Sequence, residues 1–266
     1  MPELAEVEYY RRRWDPGLGQ PILAVRLRRG KRIFRGVDAT LFTRLLRGAA
    51  LTASEARGKQ IAFRFSNGAW LGVHLGMTGR LVAAQASFKP ARHDHLVLRQ
   101  KARTLVFSDP RLFGRVRFDP GPGVPAWWAG LPEPLTAPTY TPGKLERFVQ
   151  RHPRAPLKAV LLRQDGFPGI GNWMADEILW RARLHPGRRA GRLTGRDTRR
   201  LWRVVRQVCR GALRHVAADF SDPPRGWLFN ERWNDQGRCP RDGHPLRRET
   251  IGGRTTAWCP ECQPGG

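Results

Sequence analysis

The apolar residues of this chain change period once, and the change falls on a stretch that can carry neither period. Between Pro21 and Asp119 they alternate: Ile61, Phe63 and Phe65 are separated by Ala62 and Arg64, and Leu71, Val73 and Leu75 follow after Asn67-Gly68. Alternation turns one face of a strand toward a core. An Asn-Gly pair between two such runs predicts a hairpin on a type I′ turn, in which both residues take positive φ. Further strands are expected near Ile22 to Leu27, His95 to Leu98, Thr104 to Phe107 and Val116 to Phe118. Beyond Pro142 the spacing is helical: Leu201, Val204, Val205, Val208, Ala212, Leu213 and Val216 share one face of a long amphipathic helix, with Cys209 beside them as a small core residue. The stretch from Pro120 to Pro142 holds seven prolines and three glycines, which exclude a helix or a central strand and mark a linker. The chain therefore reads as α+β, with a sheet-rich sandwich or barrel over 1–119, a linker over 120–142, a helical domain over 143–230 and a terminal hairpin over 231–266.

Charge narrows the partner. Against 22 Asp plus Glu stand 48 Lys plus Arg, a formal net charge of +26. Such a surplus favours a polyanion, because Lys and Arg on phosphates release condensed counterions, and nucleic acid is the leading candidate. Part of the arginine excess follows from a GC-biased composition rich in Gly, Pro and Ala. A hydrophobic content of 40% with 10 Trp and 12 Phe excludes wholesale disorder. No apolar run reaches the roughly 20 residues of a membrane span, and the acidic start MPELAEVEYY lacks the basic and apolar regions of a signal peptide. The expectation is a soluble cytoplasmic protein of bacterial type, associated with the nucleoid through DNA and monomeric. Of the 4 Cys, three crowd the last 28 residues, which points to metal and not to a disulfide framework.

Three segments carry chemistry. At the N-terminus, Pro2 and the acidic Glu3, Glu6 and Glu8 suit a first helical turn. Removal of Met1 would also expose the secondary amine of Pro2, and a terminal amine titrates near pH 7.7 to 8.0, about two units below lysine, so it is partly nucleophilic at neutrality with Glu3 beside it to move protons. In the second segment, Gln164 to Leu179, a helix is expected to end near Gln164. Gly169 and Gly171 permit a tight double turn, and Asn172 caps a helix running to Leu184, with outward N–H groups available to a phosphate. An ordinary helical hairpin is the alternative. The third segment runs Cys239-Pro-Arg-Asp242-Gly-His244 and then Cys259-Pro-Glu-Cys262, the spacing of a zinc ribbon whose fourth ligand is Asp242 or His244. Its alternative is a metal-free hairpin held by Leu246, Ile251 and Trp258. Arg247, Arg248 and Arg254 on such a hairpin would point at phosphate.

Taken in order along the whole chain, PELAEVE at the start, ARGK at 56–59, HLGMTGRL at 74–81, DPRLFGR at 109–115, the Gly-Ile-Gly-Asn turn and the terminal ribbon resemble the formamidopyrimidine-DNA glycosylase and endonuclease VIII family of base-excision repair. The resemblance implies an N-terminal β-sandwich, a helix-two-turn-helix domain and a zinc-finger hairpin, with damaged or abasic double-stranded DNA crossing between domains. It implies Pro2 as the nucleophile at the sugar's anomeric carbon, Glu3 as the acid at the ring oxygen and Glu6 as its support. Base loss would leave a covalent iminium that permits β- then δ-elimination. Lys59 matches a lysine contacting the lesion strand, and Asn172 and Arg254 match residues gripping phosphates around the everted nucleotide. Met77, Arg111 and Phe113 match a trio that fills the void left by the base, although by residue type alone Met77 and Phe113 would be core. His93, Asp94 and His95 begin a strand and read as structural.

Four departures bear on specificity. Ala5 replaces the family's second proline, Asp242 replaces a zinc cysteine, Arg232-Trp233-Asn234-Asp235 stands where a Val-Tyr-Gly-Arg-like stretch is common, and the loop Ala217 to Gly226 carries Pro223 and Pro224 where some members cover an oxidised purine. They leave open whether oxidised purines, oxidised pyrimidines or other lesions are removed. A non-catalytic sensor of damaged DNA and an RNA-binding zinc-ribbon protein are the readings from other classes.

Overall fold

A computed structural model describes residues 1–265 of the protein. It divides into two compact units, one made of Met1–Pro2 and Glu6–Leu131, the other of Glu3–Ala5 and the chain from Pro132 onward. Helix α1 (Leu4–Arg12) opens the chain.

In the first unit follow β1 (Ala24–Leu27), α2 (Ala39–Leu46), β2 (Leu51–Arg57), β3 (Gln60–Phe65), β4 (Trp70–His74), β5 (Arg80–Gln85), β6 (Asp94–Arg99), β7 (Arg103–Ser108) and β8 (Arg115–Asp119). They form two antiparallel four-stranded sheets in the orders β1-β6-β7-β5 and β2-β3-β4-β8. The alternation read in the sequence sorts the faces. Ile61, Phe63, Leu71 and Val73 meet Leu81, Leu96, Leu98, Leu105 and Phe107 of the other sheet in one buried core, the packing of a β-sandwich. The opposite face of β3 and β4 presents Ala62 and Trp70, which are covered by Trp128 and the half-buried Trp127. Those two indoles sit on a one-turn helix, α3 (Ala126–Ala129), inside the stretch expected to exclude helix. Pro125 precedes its first residue, where a proline costs no hydrogen bond.

The β3–β4 hairpin forms in the expected place on a different turn. Only Gly68 takes positive φ (86°), its N–H donates to Phe65 O at 2.9 Å, and Phe65 N donates to Ala69 O at 3.0 Å. This is a type I turn closed by a left-handed glycine. Asn67 serves through its side chain instead: Nδ2 donates to Leu45 O at 2.7 Å and Oδ1 accepts from Ala69 N at 3.2 Å.

The second unit contains α4 (Pro142–Gln150), α5 (Leu157–Leu161), α6 (Asn172–Arg181), α7 (Gly195–Asp219) and the hairpin of β9 (Arg247–Ile251) with β10 (Arg254–Trp258). Helix α7 starts on a capping box in which Thr194 Oγ1 accepts from Asp197 N at 3.2 Å and Asp197 Oδ2 accepts from Thr194 N at 3.2 Å. Its buried face is the one expected, Leu201, Val204, Val205, Val208, Cys209, Ala212 and Val216. The helix runs through Asp219 and closes on Phe220 at φ 68°, so the loop expected from Ala217 begins three residues later. Helix α6 is buried from Trp173 to Trp180, surrounded by α5, α7 and β10. No helix among the described residues is long and apolar enough to cross a membrane.

Candidate functional site

The turn before α6 holds a concentrated polar network. Here α5 stops at Leu161, short of the expected Gln164, because the Gln164 side chain organises the following loop: Nε2 donates to Leu162 O and Ile170 O at 2.9 and 2.8 Å, and Oε1 accepts from Gly169 N at 3.1 Å. The helix N-cap is Gly171, not Asn172, and the cap's acceptor comes from the other end of the chain. Glu3 Oε2 accepts from Gly171 N at 2.9 Å and Met174 N at 3.1 Å, while Oε1 accepts from Trp173 N at 3.0 Å. The amides expected to face outward to a phosphate are therefore taken by a buried carboxylate, itself the anion that a helix N-terminus favours. At its other end α6 stops at Arg181, because Arg183 turns the chain at φ 52° before the expected end at Leu184.

Asn172 becomes the first helical residue and is held from two sides. Its carbonyl accepts from Lys158 Nζ at 2.7 Å, and its Nδ2 donates to Thr255 O at 2.9 Å, one residue beyond Arg254. Two residues chosen separately from the sequence thus adjoin, and the second amide proton of Asn172 is left for a further acceptor. Arg254 is exposed at the start of β10, after a Gly252-Gly253 turn whose first glycine lies against Ala159 of α5. Lys158 is fully buried and also meets Asp176 Oδ1 at 2.5 Å, whose Oδ2 receives Arg232 at 2.6 Å. Burial pushes Lys158 below the ordinary lysine range, and Asp176 opposes that shift. A buried carboxylate shared by two cations fixes α5, α6 and the segment leading to the hairpin. Sequence reasoning missed Lys158 and Asp176, which stand in helical patterns that show no pairing.

Pro2 is partly exposed and Met1, before it, is 55% exposed. Glu6 lies partly buried on the first turn of α1, and Ala5 is fully buried.

In the first unit, Lys59 is buried in the β2–β3 turn beside Gly58 at φ 60°. Nearby His74, at the end of β4, is pushed below the ordinary histidine range by burial and by the positive charges of Lys59 and Arg117, and its Nδ1 accepts from Gly76 N at 3.1 Å. The loops carrying Met77 and Arg111 to Phe113 are tied together by Asp109, which is fully buried: Oδ1 accepts from Thr78 Oγ1 and Oδ2 from Gly114 N, both at 2.7 Å. Gly76, at φ 63°, lies so close to the backbone of Phe113 and Gly114 that a side chain has no room. Leu112 adopts φ 57°, a left-handed conformation costly for a branched residue, and Arg32 Nε donates to its carbonyl at 2.6 Å. The result overrides residue type. Met77 and Phe113 are 44% and 45% exposed and not core, and the guanidinium of Arg111 lies 4.9 Å from the Phe113 ring centre. The Asp-Pro of DPRLFGR was the available signal for Asp109, but its bonds to Thr78 and Gly114 were not legible. His95, expected to be structural, is so: its Nε2 lies 3.0 Å from Asp109 O.

At the C-terminus, Cys239, Asp242, Cys259 and Cys262 bring one ligand atom each within 4.8 Å of one another. Asp242 Oδ2 lies 2.9 Å from Cys262 Sγ and 3.4 Å from Cys259 Sγ. The 3.7 Å between Cys239 Sγ and Cys262 Sγ is close to the edge of a tetrahedron with bonds of about 2.3 Å. His244 is the correction: it contributes no atom to this group, and its backbone N–H donates to Asp242 Oδ1 at 3.1 Å. Burial pushes the Cys259 thiol up to about 12. Gln263 fastens the group to the domain, accepting from Cys259 N at 3.0 Å and donating to Leu184 O at 2.9 Å. Arg248 does not point to an outside phosphate but bonds Asp235 and the Arg232 carbonyl, and Arg247 lies 5.8 Å from the Trp258 ring centre.

Comparison with known proteins agrees with this arrangement. The formamidopyrimidine-DNA glycosylase N-terminal domain matches residues 1–116, and the formamidopyrimidine-DNA glycosylase H2TH domain matches 131–222. Formamidopyrimidine-DNA glycosylase of Thermus thermophilus is 37% identical over 282 residues, covering 100% of both chains. Its counterpart in Thermomicrobium roseum is 37% identical over 290 residues and covers 99% of both. The crystal structure of the MutM (Fpg) protein from Thermus thermophilus superposes with a TM-score of 0.81 at 35% identity over 100% of both chains. In fold, the chain is also similar to Lactococcus lactis formamidopyrimidine DNA glycosylase bound non-covalently to DNA containing an AP site, with a TM-score of 0.85, 24% identity and coverage of 99% and 100%.

Proposed function

Because this chain belongs to the formamidopyrimidine-DNA glycosylase family and is a DNA glycosylase/AP lyase of base excision repair, we propose that it removes oxidised or ring-opened bases through the amine of Pro2. The observation that carries the reading is the pairing of a partly exposed Pro2 with a buried Glu3 whose carboxylate is fixed by three backbone amides. Pre-organisation of this kind spares the reaction the cost of orienting an acid–base group.

Once Met1 is removed, the Pro2 nitrogen pair attacks the anomeric carbon of the damaged nucleotide. The C–N bond to the base breaks, and the base departs with a proton. The Pro2 nitrogen gives up its proton, the bond between the anomeric carbon and the ring oxygen then breaks, and Glu3 protonates that oxygen as the sugar opens, with Glu6 in support. The iminium left on Pro2 acidifies the neighbouring sugar carbon. Loss of a proton there expels the 3′ phosphate, a second elimination expels the 5′ phosphate, and hydrolysis returns the amine. Lys59 contacts the lesion strand, Asn172 and Arg254 grip phosphates, and Met77, Arg111 and Phe113 occupy the space of the extruded base, Arg111 bonding its orphaned partner. Extrusion costs a few kcal/mol of stacking and pairing, which these contacts offset. We assign 1–119 to the catalytic helix and sandwich, 120–142 to the linker, 143–230 to the helix-two-turn-helix domain and 231–266 to the zinc hairpin.

The three thiols and one carboxylate suit a single structural zinc ion held by Cys239, Asp242, Cys259 and Cys262, whose role is to pin the hairpin that carries Arg254. The partner is double-stranded DNA with damaged or abasic sites, engaged by a monomer in the cytoplasm.

Duplexes carrying an oxidised purine, a ring-opened purine, an oxidised pyrimidine or an abasic site, assayed for base release and strand scission, test the reading. Release followed by scission at one lesion class, both abolished by Pro2→Gly, supports it. Tight binding of every lesion with neither activity would replace it by the damage-sensor reading.

A further inference from the structure

Helix α7 presents a second basic surface unconnected with Asn172. Among its exposed positions Arg196, Arg199, Arg203, Gln207, Arg210 and Arg214 are spaced three or four apart and so aligned in one stripe. At 1.5 Å per residue the stripe is about 27 Å long. The two acidic residues of the helix lie off it: Asp197 is occupied by Arg188 and Arg200, and Asp219 ends the helix. Among the described residues, none of the five stripe arginines forms an ion pair.

Beside the stripe runs a groove of about 500 Å³ whose lining holds no Asp or Glu. Its other arginines are already spent. Arg181 pairs with Glu177 at 2.5 Å, and Arg206 donates to the carbonyls of Ala137 and Thr136 at 2.5 and 3.1 Å. The indoles of Trp202 and Trp227 form its walls, Trp202 held by its Nε1–H on Tyr140 O at 2.7 Å. What remains uncommitted is Arg203, Arg210 and Arg214 over a rigid floor. The groove lies at the Arg181 end of α6, about 14 Å along the helix from Asn172.

We propose that this face binds the phosphate backbone of a second duplex DNA segment, apart from the one that carries the lesion. Arginines three, four or seven residues apart, about 4.5 to 10.5 Å in axial rise, without intervening carboxylates, suit the phosphates of a duplex, and about 27 Å of stripe matches roughly eight base pairs of axial rise. The contact is independent of sequence and transfers the protein directly between DNA segments. This inference rests on the glycosylase reading for its biological use, but not for its test.

The lesion site of the full-length protein is saturated with an uncleavable abasic-analogue duplex, and binding of a labelled undamaged duplex is then measured against salt. The wild type is expected to form a one-to-one ternary complex. The variant combining Arg203→Gln, Arg210→Gln and Arg214→Gln is expected to bind the second duplex at least tenfold more weakly, with a slope of log K on log salt shallower by about 3, one per lost phosphate contact. That variant should keep the wild-type melting temperature and single-turnover base release on a short lesion duplex. In the wild type alone, release of prebound lesion duplex should accelerate with undamaged competitor concentration. An unchanged slope, absence of the ternary complex at low salt, stronger capture of polyglutamate than of duplex, or loss of base release in the variant would each overturn the proposal. Failure of the wild type to release any base would instead strike the glycosylase reading and leave the second-duplex measurement intact.

Discussion

Gly171 has no side chain because the carboxyl group of Glu3 occupies the space one would fill. The backbone there is extended at φ −123°, a conformation open to any residue, so the constraint is volume and not strain. Gly171→Ala is therefore expected to displace Glu3 from the amides of Gly171, Trp173 and Met174 while leaving the fold in place. Thermal or urea unfolding should show a loss of about 1–3 kcal/mol for the orphaned donors, and base release should fall at least 100-fold, the lower range for a lost acid–base group. A variant with full activity would separate Glu3 from the chemistry.

Much of this arrangement was legible locally and little of it at long range. The period of Ile61 to Leu75 placed two strands, and the spacing from Leu201 to Val216 placed α7 and its buried face. Both are properties of neighbouring residues. The same local rule misjudged Asn67, whose side chain reaches Leu45 and so selects another turn. It missed α3, because two tryptophans need only one turn to cover Ala62 and Trp70. The turn at Asn172 was legible but not that Asn172 is no cap, since the true acceptor, Glu3, lies 168 residues before Gly171. Met77 and Phe113 were core by type, and their exposure depends on Asp109 joining two loops.

Asp109 accepts from a hydroxyl and a backbone amide in a fully buried position. Asp109→Ala should cost about 2–4 kcal/mol, because Thr78 Oγ1 and Gly114 N lose their acceptor without gaining water. It should also weaken binding to an abasic-analogue duplex by loosening Met77 against Phe113. Thr78→Val, which removes one donor along with its bond, should cost less than half as much in urea denaturation.

The hairpin is expected to depend on metal. Purified protein should carry about one zinc per chain, and a strong chelator should lower the melting temperature and release the hairpin. His244→Ala should retain the metal and Cys259→Ser should lose it. Asp242→Cys should bind more tightly than the natural chain, because a fourth thiolate is a softer ligand than a carboxylate. Metal analysis of the three variants decides between Asp242 and His244.

Stability should fall on mild acidification. Burial holds His74, His95 and His185 below the ordinary histidine range, so each takes up its proton at lower pH in the folded protein than in the unfolded chain, which protonates near pH 6.5. Their contribution is complete above about pH 6.5 and is lost as the pH falls below it. Glu177 works in the opposite sense, its carboxyl pushed up by burial, and offsets part of the loss. Asp197 is held below the usual carboxylate range chiefly by its bonds to Thr194, against the effect of burial, and acts only in stronger acid. Urea midpoints should fall between pH 7.5 and 5, and His95→Gln should flatten the curve.

The most direct measurement is borohydride reduction of the mature protein on an abasic duplex, with the attached residue located by mass spectrometry. The expected product is a stable one-to-one adduct on the nitrogen of Pro2, with Met1 absent, and no adduct from Pro2→Gly. An adduct on any lysine, Lys59 included, or an abasic strand cut without a trappable intermediate would contradict the account.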